Sequence, residues 1–241
     1  MKSVSKHSSD NSVGRMFDRI AANYDRLNHI LSFGLDFGWR AKVANMVEKQ
    51  KPLKLLDLAS GTGDLLIALV EKNPNIIEAE GLDISENMLA ICQKKIAENN
   101  LSHKVKLICS DANSNDLPDN NYDTVTIGFG IRNTPDSSKT LSEIFRLLKK
   151  NGTALILEFS IPENRIIKFL YMTYLRFWVP FIGRIISGDK QAYRYLNTSI
   201  EKYYNAKEFT SLMRISGFEN IIAIPLAFGI VHIYKGSKIN C

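Results

Sequence analysis

The sequence predicts an α/β fold: a doubly wound, mostly parallel seven-stranded sheet of the Rossmann-like kind, with helical cap elements. Three observations carry that expectation. Short β-like apolar runs alternate with helical stretches from Lys54 onward, a glycine-rich turn follows the first run directly, and an acidic residue ends the second. The 241 residues are 45% hydrophobic and 23% charged, enough to bury a core without metal or disulfide staples and too apolar for a disordered chain.

Taken in order, residues 1–14 are mostly polar, lack the apolar stretch of a secretory signal, and read as a flexible tail. Residues 15–241 read as one domain, opened by a helical cap over 15–50. Strands are expected at 53–58, 77–82, 105–108, 122–127, 153–159, 220–224 and 230–234, the last two as an antiparallel pair around 225–229. Helices are expected at 64–72, 85–99, 137–149 and 206–216. Residues 161–200 read as an inserted cap, because the chain between the fifth and sixth strands is longer than one helix requires. Its most apolar part, 161–186, is interrupted by Lys168, Arg176, Pro180 and Arg184, so no transmembrane helix is expected. Three cysteines, Cys92, Cys109 and Cys241, show no chelating spacing, which points to a reduced cytoplasmic compartment and no metal site.

The first strand runs into Asp57-Leu58-Ala59-Ser60-Gly61-Thr62-Gly63-Asp64, where glycines such as Gly61 let a ligand approach backbone amides without a Cβ in the way. Leu66 stands where a dinucleotide fold wants a third glycine, which counts against NAD. Asp83 ends the second strand, where a carboxylate can accept both vicinal ribose hydroxyls. After the third strand, Asp111 can accept from an exocyclic adenine amine, and the Ala112 N–H can meet a ring nitrogen. Asp57 can hold an ammonium. A nucleoside carrying an amino acid and no phosphate satisfies these demands, so S-adenosylmethionine is the expected cofactor.

These residues resemble the class I methyltransferase superfamily. Over 16–235 the chain is similar to the UbiE/MenG family of quinone-ring C-methyltransferases. The resemblance rests on Tyr24-Asp25-Arg26-Leu27-Asn28-His29-Ile30-Leu31-Ser32-Phe33-Gly34 with Trp39, and on Gly128-Phe129-Gly130-Ile131-Arg132-Asn133. It rests also on Arg146-Leu147-Leu148-Lys149-Lys150-Asn151-Gly152 with Leu157-Glu158-Phe159-Ser160, and on Tyr193-Arg194-Tyr195-Leu196. It implies cofactor contacts at Thr62, Asp83, Asp111 and Ala112. This chain departs from the pattern at Asp36, where the family has histidine, and at Gly128, where many members have serine.

The resemblance implies methylation of a prenylated quinol ring, demethylmenaquinol or a ubiquinone precursor, with Gly128-Phe129-Gly130 and 177–183 favouring the first. Such a reaction needs the ring hydroxyl deprotonated and the phenolate stabilised. Arg132 is the expected stabiliser, since it leaves the fourth strand beside the methyl position and cannot itself accept a proton. His29 and Asp25 on the amino-terminal cap are the candidate bases, and Tyr193 and Tyr195 are expected to stack on the ring. The net charge is +6, of which 161–200 contributes +4. Mixed there with aromatic residues, that charge suits peripheral contact with the inner face of a cytoplasmic membrane better than nucleic acid. An RNA methyltransferase would want an Asn/Asp-Pro-Pro-aromatic block or a catalytic cysteine after the fourth strand, and neither is present.

Overall fold

All seven expected strands join one sheet in the computed structural model, which describes residues 11–186 and 190–239, with side chains described for 13–182 and 194–239. The strands are β1 (Leu53–Leu58), β2 (Ile76–Asp83), β3 (Val105–Cys109), β4 (Tyr122–Gly128), β5 (Leu148–Phe159), β6 (Glu219–Leu226) and β7 (Val231–Ser237). They lie in the order β3-β2-β1-β4-β5-β7-β6, parallel except that β7 runs antiparallel to both β5 and β6. The order reverses between β1 and β4, and the crevice at their carboxyl ends is where ligands bind in such sheets.

Both faces of the sheet are covered, so β1 is a near-continuous apolar run whose alternate residues feed two cores. Leu53 and Leu55 pack with Trp39 and Val43 of α2 (Leu35–Asn45), Leu65 and Leu69 of α3 (Asp64–Lys72), and Ile96 of α4 (Glu86–Glu98). Leu56 and Leu58 pack on the other side with Leu141 and Ile144 of α5 (Ser137–Leu147) and Phe209 and Met213 from a helix late in the chain (Ala206–Ile215). Three of these helices start at side-chain caps: Ser85 accepts from Met88 N–H, Asp136 from Ser138 and Lys139, and Asn205 forms a reciprocal box with Glu208.

Several boundaries differ from expectation, β6 and β7 for instance running on to Leu226 and Ser237, and two of the differences have a clear cause. The first helix, α1, spans Asn11–Leu31 and so takes in residues read as tail. Gly14 is buried there close to Ile84, and the apolar series Met16, Ile20 and Ala21 continues the inward stripe. The helix expected to reach 149 stops at Leu147, because Leu148 adopts extended geometry and pairs with Tyr122 as the start of β5. The helix-favouring Leu-Lys-Lys run hides this switch, whereas Asn151 at φ 61 marks the bend that follows it.

The insertion folds as α6 (Arg165–Thr173), a π turn (Tyr174–Trp178), α7 (Val179–Ile186) and α8 (Lys190–Glu201), which makes the 206–215 helix α9. Tyr171, Leu175 and Val179 are buried against Leu27 of α1 and Ile200 of α8, so both caps meet above the sheet. Among the described residues no helix is long and apolar enough to cross a membrane.

Candidate active site

A cavity of about 290 Å³ opens at the switch point of the sheet, walled by the β1–α3 turn, the ends of β2 and β4, and one side of α1. The turn is built on backbone conformations that favour glycine: Gly61 at φ 56 and Gly63 at φ 86. A Cβ on Gly63 would collide with the Cys92 sulfur, so any other residue there must displace that side chain and also accept a left-handed backbone. Gly61 N–H donates to Asp83 Oδ2 at 2.8 Å and Ser85 N–H to Oδ1 at 2.9 Å. The Asp83 carboxylate is thereby aimed while keeping lone pairs free, although burial still pushes its proton affinity up against those bonds.

Asp111, Ala112 and Gly61 line the same cavity, as the sequence anticipates. Thr62 is buried but does not line it, since its hydroxyl donates instead to Asp25 at 2.5 Å. Asp57 lies beneath the turn, almost wholly buried, and accepts from Thr126 at 2.5 Å. Burial raises its pKa to about 7. Among the described residues lining the cavity stand two aspartates and no lysine, arginine or histidine, and Asn133 Oδ1 is buried there without a partner. That donor set suits a cationic nucleoside with hydroxyls and repels a phosphate, so the residues present fit S-adenosylmethionine.

A second cavity of about 420 Å³ lies beside the first, with Tyr24 and Phe129 lining both. Its wall is apolar, from Leu31, Trp39, Phe159, Leu175, Val179 and Ile230, with a few polar groups that include Arg132 and Tyr171. A small third void lined by Tyr24, Asn28, Arg132, Asn133 and Tyr195 marks the junction. Phe129 is held between the two chambers at φ 55, a strained setting for an aromatic residue. Its carbonyl accepts from Arg132 at 2.6 Å and from Asn133 at 3.2 Å, which fixes that conformation.

Arg132 is therefore at the junction, and it is tied down. One terminal nitrogen bonds Glu158 at 2.8 Å, its side chain is 5% exposed, and its Nε has no partner. Burial would weaken its charge, but the fully buried Glu158 outweighs that effect. The Glu158 carboxyl is itself pushed up by burial, with Arg132 opposing. Tyr171, 6% exposed, also presents a hydroxyl without a partner. Burial raises the proton affinity of Tyr24, Tyr171 and Tyr195, so all three remain protonated donors near neutral pH.

The remaining expected residues fall elsewhere. His29 and Asp25 line none of the three cavities. His29 Nδ1 meets Asp36 Oδ2 at 2.7 Å, its ring stacks on Phe37 at 4.3 Å, and Asp25 pairs with Lys95 at 2.6 Å. Both belong to a polar clasp in which Asp64 also receives Lys95 at 2.6 Å and Arg40 pairs with Asp36. Their side chains are held by partners on α2, α3 and α4, which is why they do not face the junction. Tyr195 lines the first cavity and the junction rather than the apolar chamber. The Tyr193 side chain lies outside the described residues. Tyr24, Phe129 and Tyr171 were not singled out from sequence as site residues. Tyr24 opens the first family block and Phe129 sits between two glycines after β4, which are the signals that could have found them.

Comparison with known proteins gives a consistent picture. The family model described as the ubiE/COQ5 methyltransferase family matches residues 5–238. A demethylmenaquinone methyltransferase of Thermotoga maritima is 40% identical over 226 residues, covering 93% of this chain and 95% of the relative. One from Anoxybacillus flavithermus is 36% identical, covering 97% and 98%. A Geobacter sulfurreducens relative named ubiquinone/menaquinone biosynthesis C-methyltransferase is 38% identical, covering 92% and 87%. Among solved structures, the cyclase SpnF superposes with TM-score 0.72 at 18% identity, covering 99% of this chain and 100% of that one. At this identity the likeness shows the fold.

Proposed function

The chain belongs to the ubiE/COQ5 methyltransferase family, and from that premise we propose that it methylates the ring carbon of demethylmenaquinol to give menaquinol. The observation that carries the proposal is the pair of adjoining cavities: an acidic one fit for S-adenosylmethionine and an apolar one with a buried arginine where they meet. Bound in the first cavity, S-adenosylmethionine supplies an electrophilic methyl group on a sulfonium. Asp83 would hold its ribose hydroxyls, and Asp111 with the Ala112 amide its adenine edge.

The chain's own residues do the rest. The apolar chamber takes the quinol ring and the start of its prenyl tail and excludes water. Arg132, whose charge is secured by Glu158, stabilises the ring phenolate, so electron density builds on the adjacent carbon. Tyr171, protonated and unpartnered, donates to a ring oxygen and fixes the ring's rotation. Asp36 is the single carboxylate among the described residues lining this chamber. Although burial opposes it, bonds from Ser32 and Arg40 hold Asp36 below the usual carboxylate range, which makes it a poor base. The hydroxyl proton therefore leaves not to Asp36 but to water at the polar junction with the first cavity, the side from which the apolar wall does not exclude it. The proton of the methylated ring carbon follows the same way as the ring regains aromaticity.

We further propose that the protein works at the cytoplasmic face of a membrane, where a prenylated quinol resides. The exposed aromatic residues of α6 and α7 and the basic residues among them support this. Mass analysis of quinones from cells lacking the protein tests the substrate. Accumulated demethylmenaquinone is expected, and accumulation of a ubiquinone precursor alone would overturn the choice.

A further inference from the structure

Four residues line the apolar cavity and yet are more than half exposed, so they define its mouth: Phe33, Leu35, Leu170 and Phe228. They come from separate places in the chain: the α1–α2 turn, the start of α2, α6 and the β6–β7 connection. Two of them are thrust outward by backbone that resists them. Phe33 sits at φ 54 and is 78% exposed; Phe228 sits at φ 58, follows Ala227 at φ 45, and is 85% exposed. A bulky side chain in the left-handed region is strained, and exposing it forfeits its burial, so both residues are disfavoured twice over in water. The turn that carries Phe33 is also braced. Tyr174 donates to the Leu31 carbonyl at 2.8 Å, and its ring lies 6.1 Å from that of Phe33.

The apolar surface continues outward from this mouth. The outer side of α6, the π turn and α7 exposes Phe169, Phe177, Trp178 and Phe181, each more than half accessible, while the inner side of the same continuous helical segment lines the cavity. A surface helix apolar on both sides has no aqueous partner for one of them. Exposed Arg165 and Lys168 flank that side, and no acidic residue occurs between Arg165 and Gly188.

We propose that this rim seats in an anionic lipid leaflet, so that the mouth of the quinol cavity opens directly into the acyl region. The proposal rests on the quinol reading above and deepens it. A polyprenyl tail must leave the chamber through this mouth, and only an apolar fluid can receive it; a protein partner seated there would block the exit. A second copy is disfavoured too, because a two-fold contact would set Arg165 and Lys168 against their own equivalents. Lipid headgroups supply the opposite charge, and the aromatic rings suit the interfacial layer.

Co-sedimentation with phosphatidylcholine vesicles, with and without phosphatidylglycerol, tests this on the full chain. The wild type binds the phosphatidylglycerol vesicles and the Phe169→Ser/Phe177→Ser/Phe181→Ser variant binds at least about tenfold more weakly. Phe228→Ser alone also weakens binding. Turnover of a water-soluble demethylated quinol with a single isoprene unit is unchanged in the triple variant, while its KM for vesicle-embedded long-chain quinol rises about tenfold in step. Equal vesicle binding by wild type and triple variant overturns the proposal. So does a wild-type dimer that the triple variant converts to monomer, which would assign the face to a second copy. If the wild type does not turn over the soluble quinol at all, it is the catalytic reading that fails instead.

Discussion

Arg132 and Asp57 show how burial sets chemistry one residue at a time. Arg132 keeps its charge inside an apolar wall because Glu158 lies 2.8 Å away, so removing it strands a buried carboxylate besides losing the proposed phenolate stabiliser. Arg132→Lys retains a charge for Glu158 but loses the planar fork. We expect it to leave S-adenosylmethionine affinity unchanged by calorimetry while kcat falls by roughly a hundredfold, the loss typical for one stabilising donor. An unchanged kcat would remove Arg132 from the mechanism. Asp57 carries a pH signature. Its folded pKa, raised by burial to about 7, lies above the value near 3.8 that it has unfolded. Between those values the folded chain holds a proton that the unfolded chain has lost, so this group's contribution to stability is full below the lower value and declines as pH rises through about 7. Thermal melts of wild type and Asp57→Asn should therefore diverge over that window, with the wild type losing more stability on going alkaline. Parallel curves would contradict the assignment.

Elements that repeat a period were readable, and those whose meaning depends on a distant partner were not. β1 and the helix after the glycine turn coincide with the segments expected from sequence, because an apolar run and a Gly-x-Gly are local signals. The end of α5 was misread because Leu148 is drawn into the sheet by Tyr122, 26 positions away, against a locally helical run. His29 and Asp25 illustrate the same limit at the site. Both have the right chemistry for a base, but Asp36, Asp64, Lys95 and Thr62 claim them from four other places in the chain. Through that clasp and the 2.5 Å bond from Ser85 to Asp18, α1 hangs from the two turns that build the cofactor cavity. Asp25→Ala should accordingly weaken S-adenosylmethionine binding about fivefold, for the loss of about 1 kcal/mol of clasp, and speed amide exchange along α1, while kcat at saturation stays near wild type. A collapse of kcat with a changed pH profile and intact affinity would restore Asp25 as a base.

For the whole molecule, the sheet order places an acidic cavity at the β1/β4 switch point, and the two caps close an apolar chamber beside it. The cofactor half was largely legible from sequence, since Gly61, Asp83, Asp111 and Ala112 each follow a strand end and converge once the strands are ordered. The substrate half was not, because its walls come from α1, α2, β5, the insertion and the β6–β7 connection, and no local pattern announces that they meet. Part of the insertion's basic excess takes on meaning at this scale, since exposed Arg165 and Lys168 stand on the helix that lines the mouth of that chamber. The central claim is that the two cavities together perform one transfer. The most direct measurement incubates the purified protein with S-adenosylmethionine labelled in its methyl group and chemically reduced demethylmenaquinone, followed by mass analysis of the quinone. The label is expected on the ring carbon, and only when the acceptor is in its reduced form. Label on a ring oxygen, or tight cofactor binding with no labelled quinone, would contradict it.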